Sequence, residues 1–333
     1  MTMEKKKKVN SPEQTVPGTA HERIFYWDNV KGILIALVVF GHLLEQAHDG
    51  SAGTLYKFIY LFHMPLFVFC SGYFATYSPG KILKKLLLPY IVLQLICGFI
   101  AYREIQITTP FWVLWYLLAL ALWRITVPFL EKCPRGWSGI VIAASVVFAC
   151  FIGFDDSIGY FATLSRVIVF YPYFVAGYYS KRWRNVNIEV KPLPIVRVFS
   201  AVLLALVFTV FIFVAPSVDA KWLYNSYSYE NGNYDVVFRL INYVFATIIG
   251  IAVLAITPRR KTFVSDWGYS SFTIYIVHIL MVYGVQLLFG KVYMELPFQY
   301  VISALSAVLF CAVIAFLRRR VAVRFPKIDK FLL

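Results

Sequence analysis

The chain has 333 residues, of which 60% are hydrophobic and only 15% charged, with a formal net charge of +15. A soluble domain of this length would carry about 25% charged residues, so a water-soluble fold is excluded. A nucleic-acid binder is excluded as well, because the basic residues are parcelled into short segments between long apolar runs.

Residues 1–22 are polar, include Lys5 to Lys8, and read as a disordered cytoplasmic tail. A cleaved signal peptide is the rival reading. Against it stand the long polar tail before the apolar core and the Lys31, His42 and Glu45 inside that first span. A helix needs about 20 mostly apolar residues to cross a bilayer. On that rule spans are predicted at 30–47, 54–75, 83–102, 111–131, 138–154, 162–180, 194–215, 235–256, 271–290 and 298–320. The expectation is an all-α polytopic helix bundle of about ten transmembrane helices. Its membrane domain covers 23–320, and a second cytoplasmic tail covers 321–333.

Alternate loops carry the basic residues, among them Arg23, Lys81/Lys84/Lys85, Lys132/Arg135, Lys181/Arg182, Arg259/Arg260 and Arg318 to Arg320. The intervening loops hold Asp49, Glu104, Asp155/Asp156, Asp219/Glu230 and Glu295. By the positive-inside rule this predicts a multi-pass cell-membrane protein with both termini cytoplasmic. The five cysteines are scattered without C-x-x-C spacing and read as small packing residues, with no disulfide framework or metal site expected. The longest external segment, 216–234, is rich in Tyr, Asn and Ser. It suits either contact with a sugar-like ligand or a solvated connector.

Three of the five histidines, His42, His63 and His278, fall inside apolar spans. An ionisable ring in hydrocarbon is costly and marks a bundle interior or a water-filled cavity. On the first span His42 lies 11 residues beyond Lys31, about 16 Å along one helix face. Glu45 follows three residues later on that face. Arg23, Asp28 and Lys31 stand at the cytoplasmic mouth. His63 comes two residues before Pro65, so it is either a site residue or a donor to a kinked backbone. Lys81 and Lys84 are one turn apart, placed to grip an anion or simply to anchor the helix. Trp115 and Tyr116 are an aromatic belt or a stacking platform for a sugar. Arg166, six residues into its span, needs a partner such as Glu45, Asp155 or a ligand oxygen. Asp235 and Arg239, one turn apart, are expected to pair with each other.

These motifs, in this order, resemble the membrane acyltransferase 3 family, especially its fucose-4-O-acetylase-like branch. The matching segments are Arg23…Asp28-x-x-Lys31-Gly32…His42, F-H-M-P-L-F-V-F-C-S-G-Y at 62–73, K-x-x-K at 81–84 before L-L-L-P-Y, L-W-Y-L-L-A-L at 114–120, F-Y-P-Y-F-V-A-G-Y-Y at 170–179 and S-S-F-T-I-Y-I-V-H at 270–278. The resemblance implies an enzyme moving an acyl group, usually acetyl, from cytoplasmic acyl-CoA to a hydroxyl of a glycan or related acceptor outside. The family's basic-x10-His signature falls on Lys31 and His42, and its paired basic positions on Lys81 and Lys84, where lysine replaces arginine and loses bidentate phosphate geometry.

Imidazole suits removal of an alcohol proton near neutral pH, so His42 is expected as general base, oriented or balanced by Glu45 or Asp28. Lys31, Lys81, Lys84 and Arg23 would hold the acyl-CoA phosphates. His63 or Arg166 would stabilise the oxyanion or position the acceptor, with Trp115 and Tyr116 beside it, and no metal takes part. The rival readings are a transporter or flippase for a lipid-linked sugar, with buried His and Arg as a proton relay, and a haem carrier ligated by His42 and His63. Corresponding broken helices in two halves, expected of many transporters, are not apparent.

Overall fold

A computed structural model of the chain describes residues 25–45, 53–102, 109–159, 161–183, 187–289 and 296–325. Arg23, Asp49, Glu104, Glu295 and the tail 1–22 lie outside the described residues, as does the end of the chain from 326. Among the described residues there are helices and no strand. The ten long helices coincide with the ten predicted spans. They are α1 (Phe25–Glu45), α2 (Thr54–Tyr73), α3 (Pro79–Ile82 continued through Leu83–Leu87 into Leu88–Tyr102), α4 (Trp115–Lys132), α5 (Ser138–Phe151), α6 (Leu164–Ser180), α7 (Pro194–Val214), α8 (Val236–Ile256), α9 (Ser271–Phe289) and α10 (Leu296–Arg324). Helix α10 runs four residues beyond the predicted boundary at 320.

Eight of these helical stretches are long and apolar enough to cross a membrane. The other two, α6 and α9, carry Arg166 and His278. They are interior helices, whose polar groups face protein. Helices α1, α2 and α4 bury more than half of their residues, whereas α5, α7 and α10 bury less than a quarter. The exposed faces of that outer shell are apolar: Phe199, Phe213 and Leu305 are 65%, 80% and 64% accessible. So large an apolar surface cannot face water; it is the lipid-facing surface of a multi-pass membrane protein.

Close helix crossings hold the interior together. Helix α2 lies against α6, and a Cβ added at Gly72 would fall 2.0 Å from the Phe174 carbonyl oxygen. One added at Gly177 would fall 2.0 Å from the Phe69 oxygen, so the two glycines admit each other's backbones. Helix α1 packs on the short helix Val264–Tyr269, on α2, α9 and α10. At its basic end Asn29 is fully buried. It donates to the carbonyls of Pro258 and Arg260 and accepts from Thr262 and Ser265.

Several expectations are corrected. Trp115 and Tyr116 are buried in the bundle, 9% and 5% accessible, so they form no lipid-facing belt. Asp235 caps α8 through the Phe238 amide. Arg239 instead donates to the Ala149 and Tyr227 carbonyls and to the Tyr234 hydroxyl. That network ties the segment 227–234 to the bundle. The segment is therefore ordered by its own caps and by a buried guanidinium, and it is not a loose connector.

Candidate active site

At the acidic end of the bundle a cavity of about 440 Å³ opens between α1, α2, α4, α6 and α9. His42, Glu45, Tyr60, His63, Trp115 and Arg166 all line it. Five of the six were singled out in the sequence; Tyr60 was missed. It lies one turn before His63 on the same face of α2, which was the signal available.

The core of the site is a dyad. His42 Nδ1 lies 3.0 Å from Glu45 Oε2. The Tyr60 hydroxyl donates to the same carboxylate oxygen at 3.2 Å and lies 3.1 Å from His42 Nδ1. A carboxylate accepting from Nδ1–H fixes the tautomer in which Nε2 carries the lone pair. Trp112 meets the His42 ring edge-on at 4.6 Å between centroids. The His278 ring lies over it at 5.5 Å and 27°. His42 is thus clamped on two sides.

His63 is 2% accessible and bonds the Ile59 carbonyl, one turn back, at 2.7 Å through Nδ1. Its second nitrogen is then an acceptor. This is not the carbonyl that Pro65 frees, so the kink alone does not explain the histidine. Arg166 donates from Nε to the Tyr224 carbonyl at 3.1 Å and lies over the Trp115 ring at 5.1 Å. Tyr224, from the outer segment, bonds Tyr56 hydroxyl to hydroxyl at 2.8 Å. Burial pushes the Tyr224 hydroxyl up to about 12, keeping it neutral.

Asp28 does not join the dyad. It sits 17 residues before Glu45 on α1, some 25 Å away along the helix, and pairs with Lys31 at 3.3 Å. Lys31 opens onto a second cavity of about 320 Å³ at the basic end, lined also by Ser71, Lys85, Tyr116, Arg124 and Tyr275. Tyr116 therefore belongs to this cavity, where its hydroxyl meets Ser71 at 2.5 Å. Lys81 and Lys84 are exposed and stand outside its lining. The neighbouring Lys85 is in it, presented by the π-helical turn Leu83–Leu87. Such a turn shifts the register of side chains around the axis and recurs at functional sites. Arg124 was missed by the sequence reading, although an arginine within an apolar span is itself a signal. Between the two cavities stand Tyr116, Tyr275 and His278, packed ring against ring.

A family model described as "Acyltransferase domain" matches residues 24–316. Two curated relatives are similar over shorter stretches. One is "Nodulation protein NolL" of Sinorhizobium fredii, 38% identical over 100 residues, which are 28% of this chain and 24% of the relative. The other is the protein of the same name from Mesorhizobium japonicum, 45% identical over 74 residues, 21% of this chain and 19% of the relative. The chain thus matches about a quarter or less of each relative's length. No solved structure matches it. The match to the family model spans both cavities and nearly all the described helices, and the chain belongs to the membrane acyltransferase 3 family.

Proposed function

We propose that this membrane acyltransferase moves an acyl group, acetyl in the simplest case, from cytoplasmic acyl-CoA to a hydroxyl of a cell-surface glycan or related acceptor. The observation that carries the proposal is the Glu45–His42 dyad at the end of one cavity, with a cation-lined cavity at the other end of the same helices. The distribution of charge supports a cell-membrane location with the basic end, and both termini, in the cytoplasm. The donor then enters beside Lys31 and the acceptor beside Arg166.

In this reading His42 Nε2 takes the acceptor's hydroxyl proton as the oxygen attacks the thioester carbonyl. Glu45 balances the imidazolium that forms. The carbon–sulfur bond breaks, and His42 returns the proton to the departing thiolate, leaving an ester and a free thiol. Arg166, with its guanidinium over Trp115, faces the cavity as a donor for the developing oxyanion. His63, with Nδ1–H committed to Ile59, offers Nε2 to a second hydroxyl of the acceptor. The Trp115 and Trp112 rings give a sugar apolar faces to lie on.

The test is transfer of labelled acetyl from acetyl-CoA in membranes containing the wild-type protein or His42→Ala. The wild type should label envelope glycan and His42→Ala should fall to background. Equal labelling by the two proteins, at equal amounts of folded protein, removes the dyad from the chemistry.

A further inference from the structure

Helix α4 carries Arg124 eight residues from its basic end at Lys132, about 12 Å into the span. Its Nε is shielded from solvent and has no hydrogen-bond partner among the described residues. Among those residues no carboxylate lies within ion-pair distance of it. Arg239 and Arg318 also have an unpartnered Nε among the described residues, but each donates through another guanidinium nitrogen to a backbone carbonyl. Arg239 spends its guanidinium on backbone carbonyls and a tyrosine hydroxyl. Arg166 is held by the Tyr224 carbonyl and the Trp115 face. An uncompensated guanidinium in hydrocarbon is costly, and this one lines the basic-end cavity together with Lys31 and Lys85. No acidic residue lines that cavity, and Asp28, beside it on α1, is paired with Lys31. Three cations from three helices thus line one cavity whose lining includes no carboxylate.

We propose that Arg124, with Lys31 and Lys85, forms a cradle for the phosphate groups of the acyl donor, and that Arg124 is the residue that fixes the donor's depth. The proposal rests on the acyl-CoA reading above and deepens it. Arg124 can fork to two phosphate oxygens at once, which neither lysine can. The depth is consistent on two helices. Lys31 precedes His42 by 11 residues and Arg124 follows Trp112 by 12, about 16 and 18 Å at 1.5 Å per residue. Phosphate held at this level leaves an extended arm of that length to pass Ser71, Tyr116 and Tyr275 and bring a thioester to His42. Lys81 and Lys84 are exposed and outside the cavity lining, so they do not share in the cradle.

Binding of coenzyme A to the full-length protein in neutral detergent tests this, read by the thermal unfolding midpoint and by calorimetry. Pantetheine, which lacks the phosphates, and vesicles rich in phosphatidylglycerol serve as comparison ligands. The wild type should bind coenzyme A, bind pantetheine far more weakly, and show no competition from the anionic lipid. Arg124→Gln should weaken coenzyme A binding by about 10- to 100-fold, the range for charge-assisted hydrogen bonds. Arg124→Lys should recover part of that loss, and Lys81→Gln with Lys84→Gln should lose less than Arg124→Gln. In steady state, Lys85→Gln, the milder lesion should Arg124 variants fail to fold, should raise the donor KM and leave the acceptor KM in place. Equal affinity for coenzyme A in wild type and Arg124→Gln overturns the cradle while leaving the acyl-CoA donor standing. Competition by the anionic lipid overturns it in favour of a lipid-headgroup site. A wild type that binds no coenzyme A overturns the donor reading and the cradle with it.

Discussion

If Glu45 acts only through His42, the two residues must fail to be additive. General-base catalysis contributes about 10²- to 10⁴-fold, so His42→Ala should lower kcat by that range. Glu45→Gln keeps the shape and removes the charge. It leaves a charge-assisted hydrogen bond of 3.0 Å replaced by a neutral one, a loss of about 1.5–3 kcal/mol at full burial. The Glu45 side chain is 26% accessible, so the lower half of that range applies, or about 13- to 45-fold in kcat. Independent sites would multiply, giving a double variant at least tenfold worse than His42→Ala. Residues that work as a unit do not multiply, and the double variant should match His42→Ala within twofold. The assay is initial-rate acetyl transfer at saturating donor and acceptor, with folded protein quantified by size-exclusion chromatography in detergent. A tenfold further loss on adding Glu45→Gln to His42→Ala would refute the dyad and leave Glu45 as an independent, structural or acceptor-binding group.

Arg166→Gln should raise the acceptor KM and lower kcat while leaving coenzyme A binding unchanged, because Arg166 lines only the acidic-end cavity; a changed donor affinity measured by calorimetry would count against that division. Single cysteines at Asp155 and Glu230, both exposed at the acidic end, should react with an impermeant maleimide in intact cells, and one at Arg135 only after lysis. The reverse pattern would invert the proposed topology. Gly177→Leu should force α2 and α6 apart, since even a Cβ would fall 2.0 Å from a backbone oxygen. Overpacking costs about 1–3 kcal/mol, read as a lowered unfolding midpoint, and an unchanged midpoint would show that the crossing can slide.

The spans were legible because hydropathy is a one-dimensional property of the chain, and the bilayer imposes it on each segment separately. His42 with Glu45 was legible for a related reason: residues three apart on one helix must be neighbours whatever else packs around them. Asp28 was misassigned because the same helix carries it some 25 Å away from the dyad along its axis, and a rule of charge and proximity in sequence does not weigh length. Lys81 and Lys84 were paired on regular helical spacing. The π-helical turn Leu83–Leu87 breaks that spacing, and it is Lys85 that lines the cavity.

Arg124, Arg166 and Arg239 show where sequence ends and structure begins. Each is an ionised group in an apolar span, and by the cost of burial each must be compensated. Sequence can find them but cannot rank them, since compensation comes from elements 58 or 90 positions away, as with the Tyr224 carbonyl for Arg166 and the Ala149 carbonyl for Arg239. Once those partners are known the arginines separate by function. Arg239, whose two terminal nitrogens donate to the Ala149 and Tyr227 carbonyls and the Tyr234 hydroxyl, fastens the outer segment. Arg166, held by the Tyr224 carbonyl, lines the acidic-end cavity. Arg124, its Nε without a partner among the described residues, is the one of these that lines the basic-end cavity with Lys31 and Lys85, where it is placed to bind an anion. On the proposed acyl-CoA reading, a polyanionic donor that enters hydrocarbon and leaves it again needs a cation whose charge is not already spent on the fold.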